Sequence, residues 1–152
     1  MKNKNGKHGM LYKLLDIETY IQNVRWVAAT AIFIATAAWA VELMDWTYIC
    51  PFCRTQRTVI GILGILLFFP APLHWIARYV GTTLGILGLV VAGTQHFRGW
   101  ARISAGEFSF NQPIYFDSFL LSGAALFIIT GLMFLLFLAD KPKGLIEAPK
   151  VI

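Results

Sequence analysis

Four long apolar stretches constrain this chain more than any other feature of its sequence. They cover about 24–44, 54–69, 79–97 and 116–139. A helix rises 1.5 Å per residue, so roughly 20 apolar residues cross the ~30 Å hydrocarbon layer of a bilayer. Of the 152 residues, 57% are hydrophobic and the mean hydropathy is +0.64, which is too apolar for a soluble domain of this size. The sequence therefore predicts an all-α membrane protein, a four-transmembrane-helix bundle.

The lysines predict the orientation of these spans, because positive residues gather on the cytoplasmic side of a membrane. All of them lie within two terminal segments, 1–23 and 140–152. We therefore expect both termini in the cytoplasm, with loops 45–53 and 98–115 in the periplasm of a bacterium and the chain in its inner membrane. The N-terminal segment predicts a short helix on the membrane surface, and the tail a flexible end. Lysines flanking spans also explain the net charge of +5 without a nucleic-acid partner.

The two cysteines, Cys50 and Cys53, stand where the first outer loop enters the second apolar stretch. Proline is favoured at the first position of a helix, so a helix that begins at Pro51 has Cys50 as its cap and Cys53 in its first turn. The helix dipole and the guanidinium of Arg57, one turn later on the same face, are expected to lower the pKa of Cys53 and favour its thiolate. Such a pair is suited to cycle between dithiol and disulfide.

Other membrane chemistries fit the sequence less well. Zinc needs about four ligands, and the three histidines are widely scattered, so no metal is predicted. A haem held by His74 and His96 is not expected, since about 30 Å of helix separates them. Glu42 and Asp45 lie near an interface and are interpreted as solvated carboxylates. The glycine-rich third stretch predicts close helix contacts and a central position in the bundle.

The string CPFCRTQR at 50–57 resembles the DsbB family of disulfide-forming, quinone-reducing membrane proteins, as does its position at the outer mouth of the second of four spans. His96, near the outer end of the third span and followed by an aromatic stretch, is a second match. The resemblance implies that a periplasmic DsbA-like dithiol protein of thioredoxin fold is oxidised. Its two electrons would pass to a membrane quinone, either ubiquinone or menaquinone.

The resemblance also implies a role for each matching residue. Cys50 would be the outward cysteine and Cys53 the one next to the quinone. The residues implied around the quinone are Arg54, Gln56, Arg57 and His96. Read without the resemblance, Arg54 equally suits an arginine that reaches the headgroups, Gln56 a solvent-facing residue, and His96 a helix-end residue that bonds a loop carbonyl.

The chain departs from the family pattern in one respect, because loop 98–115 lacks the second cysteine pair that familiar members carry there. Three hypotheses follow. A partner thiolate attacks Cys50 directly and Cys53 leaves, since one pair is chemically sufficient for exchange. Alternatively, the chain is a non-catalytic accessory or assembly subunit of a larger membrane complex. In the third hypothesis it binds quinone or lipid without thiol chemistry.

Overall fold

The computed structural model describes residues 17–46, 49–69, 75–110, 114 and 117–138. These residues form five helices, with no strand among them: α1 (Ile17–Gln22), α2 (Val24–Leu43), α3 (Pro51–Phe68), α4 (Trp75–Ser104) and α5 (Ser118–Leu138). The predicted all-α class is confirmed. Helix α1 forms the described end of the predicted surface segment, whereas residues 1–16, His74 and the tail 140–152 lie outside the described residues.

Three of these helices, α2, α4 and α5, are long and apolar enough to cross a membrane. Helix α3 has 18 residues and is not in that set. Its first two turns carry Arg54, Gln56 and Arg57, which reduce its hydropathy. The described residues therefore contain three candidate spans, where the sequence predicted four.

The third predicted helix differs most from its observed bounds. It was predicted over 79–97, whereas α4 runs over Trp75–Ser104 and so takes the first two turns of the predicted loop 98–115. No proline interrupts this extension. It ends where Gly106 adopts φ +71° and donates to the Ile103 carbonyl at 3.1 Å, a common way to terminate a helix. The other three bounds agree with the predicted stretches within three residues.

Helix α3 is the centre of the bundle, because it packs against α2, α4 and α5. The prediction that the third helix would be central is wrong, since α4 packs closely on α3 and α5 only. The core between these helices contains fully buried side chains, chiefly Val59, Leu63, Ile129 and Leu136. Both termini of α3 are thereby fixed relative to its three neighbours.

Small residues let the helices approach closely. A Cβ at Gly88 of α4 would lie 2.9 Å from both Val59 Cγ1 and Ile129 Cδ1. In α3, a Cβ at Gly64 would lie 3.1 Å from the Ala28 carbonyl oxygen of α2. Close packing at glycine is a usual source of helix association in lipid, where apolar burial provides little drive.

The buried face of α4 extends from these glycines to the outer end of the helix. Its members recur at helical spacing: Gly81, Gly85, Gly88, Ala92, Gln95 and Gly99. Gln95 therefore belongs to the face that packs inward, beside the first turns of α3. The glycine packing of α4 is thus what brings a polar side chain next to the cysteines.

Candidate active site

The cysteine pair opens helix α3, as the sequence predicted. Helix α3 begins at Pro51, and Cys50 precedes it in an extended conformation as the N-cap. The Cys53 backbone N–H donates to Cys50 Sγ at 3.3 Å. The two sulfurs are in direct contact. This geometry needs little movement to form a disulfide.

Two glutamines lie beside the sulfurs and fix each other's orientation. Gln56 Nε2 donates to Gln95 Oε1 at 2.8 Å, and both side chains are buried. Because its oxygen accepts from Gln56, the amide nitrogen of Gln95 is directed at the cysteines, 3.7 Å from Cys53 Sγ and 3.9 Å from Cys50 Sγ. Gln56 is thus a buried residue rather than a solvent-facing one. Gln95 is a site residue that the sequence reasoning missed.

Arg57 has different partners from the predicted one. Its Nη1 lies 2.7 Å from Glu42 Oε2 and donates to the Ala38 carbonyl at 2.7 Å. Its Nε donates to the Cys53 carbonyl at 3.3 Å, so the link to the cysteine turn is made through backbone. The guanidinium is therefore directed at α2 instead of the sulfur of Cys53.

The interpretation of Glu42 as a solvated carboxylate is wrong, because the residue is buried, with 4% exposure. The last turn of α2 packs against the first turns of α3, and Arg54 Nε donates to Glu42 Oε1 while Arg57 pairs with Oε2. The Trp39 ring lies next to both guanidinium groups, 6.0 Å from Arg54 Cζ and 5.5 Å from Arg57 Cζ. One carboxylate is therefore shared by two cations beside the cysteine turn.

The low pKa predicted for Cys53 depended on Arg57, and the contacts of Arg57 are with other groups. Its guanidinium pairs with Glu42 and donates to the carbonyls of Ala38 and Cys53. The low pKa of Cys53 stays a prediction.

His96 faces α5. Its ring stacks on Phe119 with centroids 4.3 Å apart, and Nδ1 lies 3.1 Å from the Phe119 carbonyl oxygen and 3.4 Å from Ser122 Oγ. His96 thus bonds a backbone carbonyl, but the carbonyl belongs to the first turn of α5 and not to a loop, and His96 lies two turns before the end of α4. All four side chains that the DsbB resemblance implies around a quinone thus bond other protein groups: Arg54 and Arg57 share Glu42, Gln56 bonds Gln95, and His96 bonds the Phe119 carbonyl.

A cavity of about 190 Å³ borders Cys50 on the side of α4 and α5. The side chains that matter for its chemistry are Cys50, Phe52, Gln95, Arg98, Arg102 and Asp117. Among the described residues, Cys53 is not part of its lining. Cys50 is thus the sulfur that faces this cavity, whereas Cys53, the more exposed of the two, lies outside it.

Comparisons with protein-family models, with curated proteins and with solved structures found no match for this chain. The DsbB resemblance therefore depends on residues 50–57, on their position at the start of the second of four predicted spans, and on His96. Any function has to be argued from the geometry of the site.

Proposed function

We propose that this protein is a DsbB-like membrane thiol oxidoreductase, which passes two electrons from a periplasmic thioredoxin-fold dithiol protein through Cys50 and Cys53 to a membrane quinone. The observation that carries the proposal is the direct contact between the two cysteine sulfurs at the start of α3. A buried amide donor lies within 3.9 Å of both sulfurs. Paired thiols with this contact suit reversible disulfide formation better than an inert structural role.

The proposed exchange begins with the Cys50–Cys53 disulfide. A thiolate of the donor attacks Cys50 Sγ, the bond between the two sulfurs breaks, and Cys53 leaves as a thiolate that takes a proton. The Gln95 N–H is placed to donate to that thiolate. The second donor thiol then attacks the donor sulfur of the mixed disulfide and releases Cys50 as a thiol. The donor has lost two electrons and two protons, and the protein has gained them.

Reoxidation of the pair needs a two-electron acceptor, and the proposed acceptor is a quinone that becomes a quinol by taking two electrons and two protons. The side chains that the resemblance implies around it fit poorly, because Arg54, Gln56, Arg57 and His96 already bond other protein groups. We therefore assign these four residues no step in quinone reduction.

The proposed topology makes α3 a fourth span at the centre of the bundle, with both termini cytoplasmic and the cysteines on the periplasmic side of a bacterial inner membrane. Support comes from the packing of α3 against all three candidate spans. Its arginines reach a buried carboxylate of α2, which makes charge near the membrane boundary less costly. The terminal lysines support the orientation.

The test uses the full chain purified in an uncharged detergent. Oxidised protein is mixed with a reduced thioredoxin-fold protein and a soluble quinone analogue, and quinone absorbance is followed. We expect turnover in the wild type and none in Cys50→Ser or Cys53→Ser. The matched control is Thr58→Ser, which changes an exposed α3 side chain and keeps its hydroxyl. Equal quinone reduction in the cysteine variants would refute the proposal.

One observation favours a second function, that of an accessory subunit of a larger membrane complex. An apolar groove of about 500 Å³ lies between α2 and α5, which both pack on α3, and Ile17 and Tyr20 of α1 close one end of it. A transmembrane helix of a larger complex would fit such a groove.

Purification in mild detergent, followed by identification of the proteins that remain bound, tests the accessory function. Gly131 lines the groove, and an added Cβ there meets no atom within 4 Å. Gly131→Leu is therefore expected to displace a partner without disturbing the chain's own packing. Gly93→Leu is the control, since Gly93 has equal space outside the groove. Identical co-purification in both variants would refute the groove as the binding surface.

A further inference from the structure

The cavity beside Cys50 limits what can reach the sulfur of Cys50 from the side of α4 and α5. Cys50 is only 8% exposed, and it forms part of the cavity wall. A thiolate that attacks Cys50 Sγ through this opening has to enter the cavity with its sulfur leading. The volume of about 190 Å³ is below the ~300–1,000 Å³ of sites that hold drug-sized molecules. The space therefore suits one or two residues of an extended segment and not a flat protein surface.

The wall of the cavity is positively charged. Arg98 and Arg102 are four residues apart on α4, so they lie on the same face of the helix, and both line the cavity. The guanidinium of Arg98 lies 4.8 Å from the centroid of the Phe52 ring at the start of α3, an arrangement that keeps the cation beside the opening.

The acidic residue of this wall is Asp117, and it already serves another purpose. Its Oδ1 accepts from the Phe119 and Leu120 backbone N–H groups at 2.9 and 3.2 Å, and so caps α5. The carboxylate of Asp117 offsets the positive end of the α5 dipole, whereas the start of α3, at Cys50 and Phe52, adds the positive end of its dipole to the two arginines. The net potential in the cavity therefore favours an anion.

We propose that this cavity is the substrate site for an anionic thiol: a cysteine on an extended donor segment, with a carboxylate one or two residues away that binds Arg98 and Arg102. The inference deepens the proposed function and rests on it. The carboxylate orients the segment, and its thiolate attacks Cys50 Sγ as Cys53 leaves. The same cations favour the donor's thiolate over its thiol in the cavity. The second donor thiol completes the exchange, so no further oxidant or reductant is needed for this half of the reaction.

The first experiment measures the charge preference of the cavity without any redox step. In Cys53→Ser, Cys50 is the remaining cysteine. The rate at which iodoacetate alkylates Cys50 is divided by the rate at which iodoacetamide does so. Iodoacetamide has the same leaving group as iodoacetate and carries no charge. We expect Arg98→Gln and Arg102→Gln each to lower this ratio about fivefold. Arg25→Gln, at the opposite end of α2 from Glu42, is the control and should leave the ratio unchanged.

An unchanged ratio in both arginine variants would overturn the inference. Cys53→Ala serves as a second background if Cys53→Ser unfolds. Alkylation involves no disulfide, so the ratio tests the charge preference of the cavity whether or not Cys50 and Cys53 can be oxidised. A pair that never forms a disulfide would refute the proposed function and leave the inference about the cavity untouched.

The second experiment uses donor mimics. Capped tripeptides with a central cysteine flanked by glutamate, glutamine or lysine reduce the oxidised full-length protein, and each rate is corrected for the peptide's thiolate fraction. We expect the glutamate peptide to be fastest and the lysine peptide slowest. In the Arg98→Gln/Arg102→Gln double variant the three rates should converge. If the disulfide forms and is reduced at the same rate by all three peptides, the anionic-substrate inference fails while thiol exchange stands.

Discussion

Replacing Glu42 by glutamine is expected to lower the free energy of unfolding by about 3–5 kcal/mol. The Glu42 side chain is 3% exposed and lies between two guanidinium groups, of which the Arg57 side chain is 13% exposed and that of Arg54 44%. Removing one member of a buried pair leaves the other charge uncompensated, which is the main cost. That cost arises at Arg57. Arg54 is screened by solvent and contributes about 1 kcal/mol or less.

The assay is unfolding of the purified chain by sodium dodecyl sulfate in mixed micelles, followed by tryptophan fluorescence. Arg54→Gln should lower stability by about 1 kcal/mol or less, and Arg57→Gln by more. The double variant Glu42→Gln/Arg57→Gln should be more stable than Glu42→Gln alone, because it removes the unpaired cation. The matched control is Glu107→Gln, a carboxylate that is exposed and follows α4.

The ordering of these variants is what decides the argument. If Glu42→Gln unfolds within about 0.5 kcal/mol of the wild type, as expected for the exposed control, then Glu42 is not a buried ion-pair partner. The same conclusion would follow if Arg54→Gln were more damaging than Arg57→Gln, since burial would then not set the cost.

Two further predictions concern the cysteine turn and the helix contacts. Gln95→Leu should slow reduction of the disulfide by dithiothreitol about tenfold, because a hydrogen bond to a charged group contributes about 1.5 kcal/mol; an unchanged stopped-flow rate would exclude its role. Gly88→Leu should cost about 1–3 kcal/mol by overpacking α4 against α3 and α5, whereas Gly93→Leu should cost little.

Features governed by neighbouring residues were predictable from the sequence. Pro51 set the start of α3 and made Cys50 its cap, because proline restricts the backbone whatever surrounds it. Runs of apolar residues gave the bounds of α2 and α5 nearly as observed. These effects depend on spacing along one helix and need no knowledge of its neighbours.

Contacts between helices were harder to predict, and Gln95 illustrates why. Adjacent residues of a helix point about 100° apart, so His96 facing α5 leaves Gln95 facing α3. The sequence drew attention to the histidine, which resembles a family feature. The signal for Gln95 was the row of small residues at helical spacing on α4, which continues to it. Glu42 had a signal too, since a carboxylate inside an apolar stretch implies a buried cation partner.

The first two turns of α3 direct two polar side chains to different neighbouring helices. Gln56 turns toward α4 and fixes the amide beside the sulfurs, whereas Arg57 turns toward α2 and fixes the helix start through Glu42 and the Cys53 carbonyl. Because Arg57 pairs with Glu42, its guanidinium does not form the predicted direct ion pair with the sulfur of Cys53. The two cysteines differ instead in their surroundings, since the buried Cys50 forms part of the cavity wall, whereas Cys53 lies outside that lining and is the more exposed of the two.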